Sequence, residues 1–326
     1  MTDVIRSGAA EPVPSKETPT RPSSGTRLTD DDVLERFASL RQYQANGKRA
    51  PHKPLLVLTA LGRILDSGTS ATPFSAVENQ LASLISAFGP PSRTAAASSA
   101  AYPFTRLRSD GIWTLDQDVP MDDVTPLRRR AVTGAFTAEI ESALTSSPAL
   151  VLRLARMLVD SQFPETLASD VLIQAGLDPE LVLRSADVLA FDVPARRRSP
   201  AWVAQILMGW DRQCAFCGYD GQLGGSAVGI EAAHVRWFNL EGPDDLDNGL
   251  ALCSLHHKLF DRGALGIDVS CCVKVSDQFS GRTPSGRAVY ELHGRELRPR
   301  PGTPIPGEQH VDWHNREVFK GAPLTA

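Results

Sequence analysis

The sequence predicts an α+β protein with two domains, the first mainly helical with one β-hairpin and the second smaller, mixing strands with a helix. Two observations support this prediction. Apolar residues recur with helical spacing through most of the first half of the chain, and two closely spaced pairs of cysteine and histidine residues follow residue 210. With 326 residues, the chain is long enough for two domains rather than one.

Changes in composition divide the chain into four segments. Residues 1–26 are rich in Ser, Thr, Pro and Gly and show no periodicity, which is typical of a disordered tail. We expect the first domain at residues 27–165, a helical linker at residues 166–198 and the second domain at residues 199–326. Three arginines between two prolines, at positions 196–198, mark the end of the linker.

Three helices are predicted at the start of the first domain. Thr29 caps the first of them. Its apolar face consists of Val33, Leu34, Phe37 and Leu40. Pro54 begins the second helix, because a missing amide donor costs little in a first turn, and the apolar residues 55–65 predict that this helix is buried. The third helix has one apolar face between Val77 and Phe88.

The predicted hairpin follows these helices. Its strands are Phe104–Arg108 and Ile112–Leu115, joined by a turn at Ser109-Asp110-Gly111. Helices resume from about Pro126 to Leu189, and a further helix from about Ser199 to Trp210 leads to the second domain.

The composition of the chain limits the classes of function and the location that we expect. No apolar run approaches the roughly 18 residues of a membrane span, and the N-terminus lacks the apolar core of a signal peptide, so we expect a cytoplasmic protein. Five cysteines then indicate metal binding or free thiols. The net charge is −4, yet residues 36–65 and 79–109 contain basic residues and no acid. Such segments are compatible with a nucleic-acid partner and equally with an ordinary solvated surface.

The most specific motif is Cys214-Ala-Phe-Cys217 followed by Cys253-Ser-Leu-His256. A two-residue spacing lets both ligands of a pair reach one tetrahedral ion without strain. Four ligands close the coordination shell, so the pattern predicts a structural zinc. The alternative is four incidental thiol and imidazole groups in a core.

A second set of residues lies between and after these pairs. Ile230-Glu-Ala-Ala-His234 is predicted as a strand, Asn248-Gly-Leu-Ala-Leu-Cys253 as a turn entering a helix, and His256-His257-Lys-Leu-Phe-Asp261 as that helix. Residues 212–267 thereby resemble the HNH, or ββα-metal, nuclease family in its branch with a zinc knuckle. The resemblance implies a metal-dependent DNA endonuclease.

Phosphodiester hydrolysis needs an activated water, a cation and a stabilised leaving oxygen. The resemblance implies that His234 is the general base and that Asn248 orients it or helps hold the metal region. His257 would bind a catalytic Mg²⁺ or Mn²⁺ ion, and Asp261, one helical turn later, is either a second ligand or a surface charge paired with Arg262.

The sequence departs from the family at one position. Many HNH enzymes have an acidic metal ligand directly before the first histidine, where this chain has Ala233. Glu231 lies three positions before His234, so strand alternation places it on the opposite face, where it supports the knuckle or faces a basic residue. Cys271 and Cys272 have no partner pair and are interpreted as buried small thiols.

The first domain carries a second resemblance. Gly47-Lys-Arg-Ala-Pro-His-Lys-Pro-Leu-Leu and the segment from Tyr102 to Trp113 resemble the sulfur-binding domain of phosphorothioated-DNA-dependent restriction endonucleases, over about residues 27–165. A phosphorothioate keeps the negative charge of a phosphate but carries a larger, poorly hydrated sulfur. A domain that binds it therefore needs cationic side chains around the phosphate and an apolar contact for the sulfur. The predicted DNA-binding residues are Arg49, His52, Lys53, Tyr102, Pro103 and Arg106.

The resemblance implies that Tyr102 and Pro103 line the sulfur pocket, whereas in an unrelated protein the pair would be a turn with a packed aromatic ring. The leading hypothesis is a type IV-like restriction enzyme that recognises phosphorothioated double-stranded DNA. Two copies would make a duplex break, because one HNH module carries one site. The alternatives are a nuclease specific for methylated or hydroxymethylated cytosine and a non-catalytic, zinc-stabilised DNA-binding protein.

Overall fold

The computed structural model describes residues 28–40, 51–91, 100–184 and 199–325. The predicted disordered tail, the arginines that end the predicted linker, and Arg49 lie outside the described residues. Among those that are described, no helix is both long and apolar enough to cross a membrane. The α+β class is confirmed, since helices dominate and several small antiparallel sheets accompany them.

The first part of the chain is mainly helical, as predicted. Its helices are α1 (Asp30–Ala38), α2 (His52–Ser67), α3 (Phe74–Phe88), α4 (Ala101–Arg106), α5 (Val124–Arg129), α6 (Ala138–Ser146), α7 (Pro148–Gln162), α8 (Glu165–Ala175) and α9 (Pro179–Arg184). Thr29 caps α1, and its hydroxyl and backbone amide are bonded reciprocally with Asp32. Helix α2 begins two residues before Pro54 and is buried nearly all round, because its sequence is apolar on every face.

A small antiparallel sheet interrupts these helices. It consists of β1 (Thr72–Pro73), β2 (Trp113–Leu115) and β3 (Thr133–Phe136), with β3 in the middle. A Cβ atom at Gly134 would lie 2.6 Å from the ring of Trp113, so only glycine fits between this ring and the strand. The sequence predicts only helices from about Pro126 onward, but in the structure β3 lies between α5 and α6.

The predicted hairpin is wrong in its first strand. The segment Phe104–Arg108 continues α4 into a 3₁₀ turn, and β2 pairs with β3 instead. The reason is packing, since Phe104 and Leu107 are three positions apart and both fully buried, which fits a helical turn. The predicted turn at Ser109-Asp110-Gly111 is present, and Gly111 closes it with a φ of 72°.

The helices around α2 share one core. Leu55, Leu61, Phe74 and Leu154 are at most 1% exposed within it, and so are Val171 and Leu172 of α8. Residues 166–184, the described part of the predicted linker, thus contribute to α8 and α9, which pack onto the same core.

The last third of the chain contains the predicted strands and helix. Its elements are α10 (Pro200–Gly209), β4 (Gln222–Leu223), β5 (Ser226–Ala227), β6 (Ile230–His234), β7 (Gly249–Cys253), α11 (Ser254–Asp261), β8 (Leu265–Ile267), β9 (Val273–Val275), α12 (Pro284–Arg287) and α13 (Glu308–Glu317). Strands β6 and β7 are antiparallel, with Ile230 opposite Cys253 and His234 opposite Gly249, and α11 follows β7 directly. The prediction of a turn across residues 249–253 is wrong, since these residues form β7.

The nuclease-like segment packs against the first domain through α8 and α11. Thr166 of α8 donates a hydrogen bond to Asp261, and Asp170 forms an ion pair of 2.9 Å with Lys258. The guanidinium of Arg262 lies 4.3 Å from the ring centroid of Phe88. Helices α8 and α11 are therefore joined by polar contacts, and Arg262, directly after α11, adds a cation–π contact with α3.

Candidate functional site

The predicted zinc ligands meet around one centre. Cys214 and Cys217 lie in a tight turn that ends at Gly218, whose φ is 78° and whose amide donates to the carbonyl of Cys214. Cys253 ends β7, and His256 lies in the first turn of α11. The ligand atoms of all four residues lie within 4.8 Å of one another. His256 Nδ1 is 3.4 Å from Cys214 Sγ and 3.2 Å from the Sγ of Cys253.

The electrostatics of this cluster suit a cation. Side-chain hydrogen bonds from Cys217 and then Cys253 hold the pKa of the Cys214 thiol far below its usual value, which favours the thiolate that metals bind. Three sulfur donors and one imidazole are a common set for structural zinc. Across the described ranges, no other three or more Cys, His, Asp or Glu side chains bring their ligand atoms this close.

His234 is held in a fixed orientation at the end of β6. Its ring stacks on Trp202 of α10, with centroids 3.9 Å apart and planes 11° apart. Its Nε2 lies 2.8 Å from Asp244 Oδ1, and the other oxygen of Asp244 accepts the backbone amide of Ser199. An ionised carboxylate only accepts hydrogen bonds, so a neutral His234 carries its proton on Nε2 and has Nδ1 as its basic nitrogen.

Asn248 uses its side chain to fix the segment that follows His234. Its Nδ2 donates to the carbonyl oxygens of Arg236 and Pro243, at 3.1 and 2.9 Å, and its Oδ1 accepts the amide of Arg236. Its own carbonyl accepts the amide of Val235. The residue is fully buried, so its contacts orient the backbone around His234.

His257 lies between two carboxylates. Its Nδ1 is 2.7 Å from Glu231 Oε2, and its Nε2 is 3.4 Å from Asp261 Oδ2. Ser254 donates a hydrogen bond to the other oxygen of Glu231, and Thr166 donates one to Asp261. The His257 and Asp261 side chains are only 4% and 1% exposed.

This second group has the donors of a hard-cation site. Two ligands at about 2.1 Å from one ion lie roughly 3–3.4 Å apart, which matches the separation of the His257 and Asp261 atoms. A carboxylate on the far nitrogen of the imidazole, as Glu231 provides here, is the usual support of a metal-binding histidine.

His234 and His257 have different hydrogen-bond partners, Asp244 and Glu231 respectively. Glu231 and His234 are three positions apart on β6 and so lie on opposite faces, as predicted. Glu231 contacts His257 and also accepts a hydrogen bond from Ser254, which lies between the zinc ligands Cys253 and His256. His234 instead contacts α10 through Trp202. The expectation that both imidazoles converge on one phosphate stays a prediction.

Three of the predicted DNA-binding residues lie together on the first domain. The rings of His52 and Tyr102 are in edge contact, with centroids 5.7 Å apart, and the guanidinium of Arg106 lies 4.9 Å from the Tyr102 ring centroid. Asp122, which sequence reasoning missed, accepts hydrogen bonds from Arg106 Nε at 2.9 Å and NH2 at 2.5 Å. His52, Tyr102 and Arg106 are partly exposed, which allows contact with a ligand.

The other predicted DNA-binding residues are placed differently. Lys53 is buried, and its ammonium forms an ion pair of 2.5 Å with Asp110, so it lies below the surface rather than on it. Pro103 is also buried, in α4. Contact of Lys53 with a phosphate stays a prediction, and in this structure its ammonium is paired with Asp110, whose side chain is only 3% exposed.

Sequence reasoning also missed the supports of the two histidine groups. Asp244 lies in an acidic stretch before Asn248, and nothing local distinguishes it from Asp245 or Asp247. Thr166 is 95 positions from its partner Asp261, so no spacing rule connects them.

The comparisons with known proteins match the two parts of the chain separately. Residues 30–180 match the family described as "ScoMcrA-like, DNA sulfur-binding domain", and residues 214–268 match the family described as "HNH endonuclease". No curated protein matches the chain.

Solved structures give further matches. One is the sulfur-binding domain of ScoMcrA complexed with phosphorothioated DNA, at 21% identity and a TM-score of 0.39, covering 46% of this chain and 97% of that one. Another is the type IV phosphorothioation-dependent restriction endonuclease ScoMcrA, at 22% identity and a TM-score of 0.39, covering 48% of this chain and 30% of that one. A third is the modification-dependent TagI restriction endonuclease, at 24% identity and a TM-score of 0.30, covering 40% of this chain and 41% of that one.

Proposed function

We propose that this chain, which joins a ScoMcrA-like DNA sulfur-binding domain to an HNH endonuclease domain, is a modification-dependent restriction endonuclease that recognises phosphorothioated DNA and hydrolyses phosphodiester bonds nearby. The observation that carries the proposal is the presence of both matched domains in one chain, with aromatic and cationic residues clustered on the first. The first domain would select the DNA target, and the nuclease domain would hydrolyse it.

Recognition is assigned to the surface formed by His52, Tyr102 and Arg106. The Tyr102 ring offers an apolar face to a poorly hydrated sulfur, and Arg106 offers a planar cation to the negative charge. An apolar contact discriminates by roughly 1–3 kcal/mol, whereas a genome offers on the order of a million competing sites. Base contacts in the major groove therefore accompany the sulfur contact.

Hydrolysis is assigned to the second domain. His234 would accept a proton from the attacking water, while Asp244 and Trp202 keep its ring in place. Asn248 holds the backbone beside it. The zinc at the cysteine cluster would be structural, because its four protein ligands leave no open position.

His257 and Asp261 would hold a Mg²⁺ or Mn²⁺ ion. When bound, such an ion supplies positive charge to the phosphate and acidifies a water molecule. Because His234 and His257 lie in separate hydrogen-bonded groups, the base and the cation site are tested by separate variants.

The test is cleavage of a duplex that carries a phosphorothioate and of the same duplex without it, each with Mn²⁺ or with EDTA. We expect cutting only of the modified duplex and only with the cation. His234→Ala should abolish cutting and spare binding, and His257→Ala should lower the affinity for Mn²⁺. A matched control is His293→Ala, since the ring of His293 accepts the amide of Val275, outside both groups.

Several results would contradict the proposal. Preferential cutting of methylated or hydroxymethylated duplexes would show that the enzyme recognises a different DNA modification. Binding without any cutting would indicate a non-catalytic DNA-binding protein. A duplex break needs two cuts, so we also propose a homodimer on DNA, and sedimentation with the modified duplex measures this.

A further inference from the structure

We propose that Asp122 is an internal substitute for a DNA phosphate, which occupies Arg106 until DNA displaces it and so lowers the affinity of the recognition surface for every duplex. The inference rests on the proposed DNA-binding role of this surface. A DNA-binding surface is expected to be basic, and the inference assigns a function to an acidic residue, Asp122, on that surface.

The geometry of the pair is that of an arginine with an anion. Arg106 Nε donates to both oxygens of Asp122, at 2.9 and 3.0 Å, and its NH2 donates to Oδ2 at 2.5 Å. A phosphate accepts the same planar fork of donors. The Arg106 guanidinium also lies over the Tyr102 ring, beside which the sulfur would bind. Asp122 therefore occupies a place that suits a phosphate next to the modification.

The position of Asp122 is fixed by the domain. Its φ is 63°, a conformation that non-glycine residues rarely adopt, and its backbone amide donates to the hydroxyl of Thr105 at 3.0 Å. Thr105 is fully buried, and its hydroxyl donates in turn to the carbonyl of Ala101. The carboxylate thus projects from a loop that is anchored on α4, the helix that carries both Tyr102 and Arg106.

Exchange of the Asp122 carboxylate for a DNA phosphate costs little free energy. The side chains of Arg106 and Asp122 are 43% and 37% exposed, and exposed ion pairs contribute little to stability. DNA therefore displaces Asp122 at small cost, and its phosphate gains the same donors. Unmodified DNA gains little net from the exchange, whereas a phosphorothioate adds its apolar contact with Tyr102. The carboxylate thereby lowers affinity for every duplex and leaves the sulfur contact to decide which duplex binds.

The test uses the full chain and Asp122→Asn, because asparagine tolerates a positive φ and lacks the charge. Binding is measured by fluorescence anisotropy on a phosphorothioated and an unmodified duplex, over a series of salt concentrations. We expect Asp122→Asn to tighten binding of both duplexes about two- to fivefold, the range in which an exposed ion pair competes. The slope of log affinity against log salt should steepen by about 1, as for one added phosphate contact.

Controls separate this effect from a general change of charge. In an Arg106→Ala background, Asp122→Asn should have no effect beyond the small change that any lost acid gives, and Arg106→Lys should retain only part of the coupling. The matched control is Glu296→Gln, which breaks the exposed pair with Arg298 in the second domain. It should leave both affinities unchanged.

Two results would overturn the inference. One is an equal gain of affinity from Asp122→Asn with and without Arg106, and the other is no gain in either background. If the wild-type chain does not prefer the phosphorothioated duplex, the proposed function fails. The coupling of Asp122 to Arg106 remains measurable on the unmodified duplex.

Discussion

Loss of one zinc ligand is expected to unfold the second domain while the first remains folded. Cys253→Ser is the chosen change, because Cys253 joins β7 to α11 and its Sγ lies 3.2 Å from His256 Nδ1. Structural zinc contributes about 10–16 kcal/mol of apparent binding free energy, so an even share for one of four ligands is about 2.5–4 kcal/mol. This is a large part of the free energy of unfolding of a typical domain, which is roughly 5–15 kcal/mol.

The effect should be centred on the second domain, because the zinc ligands lie in one of two clusters of buried residues and the other cluster takes only Trp237, Trp313 and Val318 from the described part of that domain. Phe216, Ile230, Leu252 and Phe260 belong to the cluster around the zinc ligands, and α2 lies at the centre of the other. We therefore expect loss of DNA cutting and of bound zinc, with binding to the modified duplex retained.

The assay combines metal content by mass spectrometry with urea unfolding. Cys272→Ser is the matched control, since Cys272 lies in the same domain outside the cluster, with its Sγ 3.8 Å from the carbonyl oxygen of Ser270. One equivalent of zinc in Cys253→Ser, together with an unchanged unfolding midpoint, would refute the assignment of this ligand.

Three further variants test how the histidine groups are supported. Thr166→Val should lower the free energy of unfolding by about 1–3 kcal/mol, because buried Asp261 loses a donor, and Thr166→Ser should restore it; denaturant titration measures both. Trp202→Ala should cost about 3–5 kcal/mol and abolish cutting, whereas Trp202→Phe should keep an aromatic ring on His234 and partial cutting, as thermal melts and cleavage assays will show. Asn248→Ala should cost about 2 kcal/mol or more, since it leaves buried backbone groups without partners, and an unchanged melting temperature would contradict this.

Features encoded in short stretches of sequence could be predicted. The cap at Thr29 and the zinc ligands depend on spacings of a few residues, and the structure has both. The alternation that separates Glu231 from His234 is a property of any strand, so it too was predicted.

Features that depend on contacts between distant elements could not be predicted. Residues 249–253 form a short apolar run, which reads equally as strand or helix entry, and pairing with β6 decides that they form a strand. Phe104 and Leu107 are likewise placed in a helical turn by the core they share. The partners of Lys53 and His257 depend on how distant segments pack, and this packing pairs Lys53 with Asp110 and His257 with Glu231.

The central claim, that the first domain selects phosphorothioated DNA, is tested most directly by the ratio of two dissociation constants. They are those of the full chain for a phosphorothioated duplex and for the same duplex without sulfur. The account predicts a ratio of roughly 10- to 200-fold in favour of the modified duplex, the range that an apolar pocket provides. It also predicts a collapse of this ratio in Tyr102→Ala but not in the control Tyr219→Ala, an exposed tyrosine of the second domain. Equal affinities of the wild-type chain for both duplexes would contradict the account.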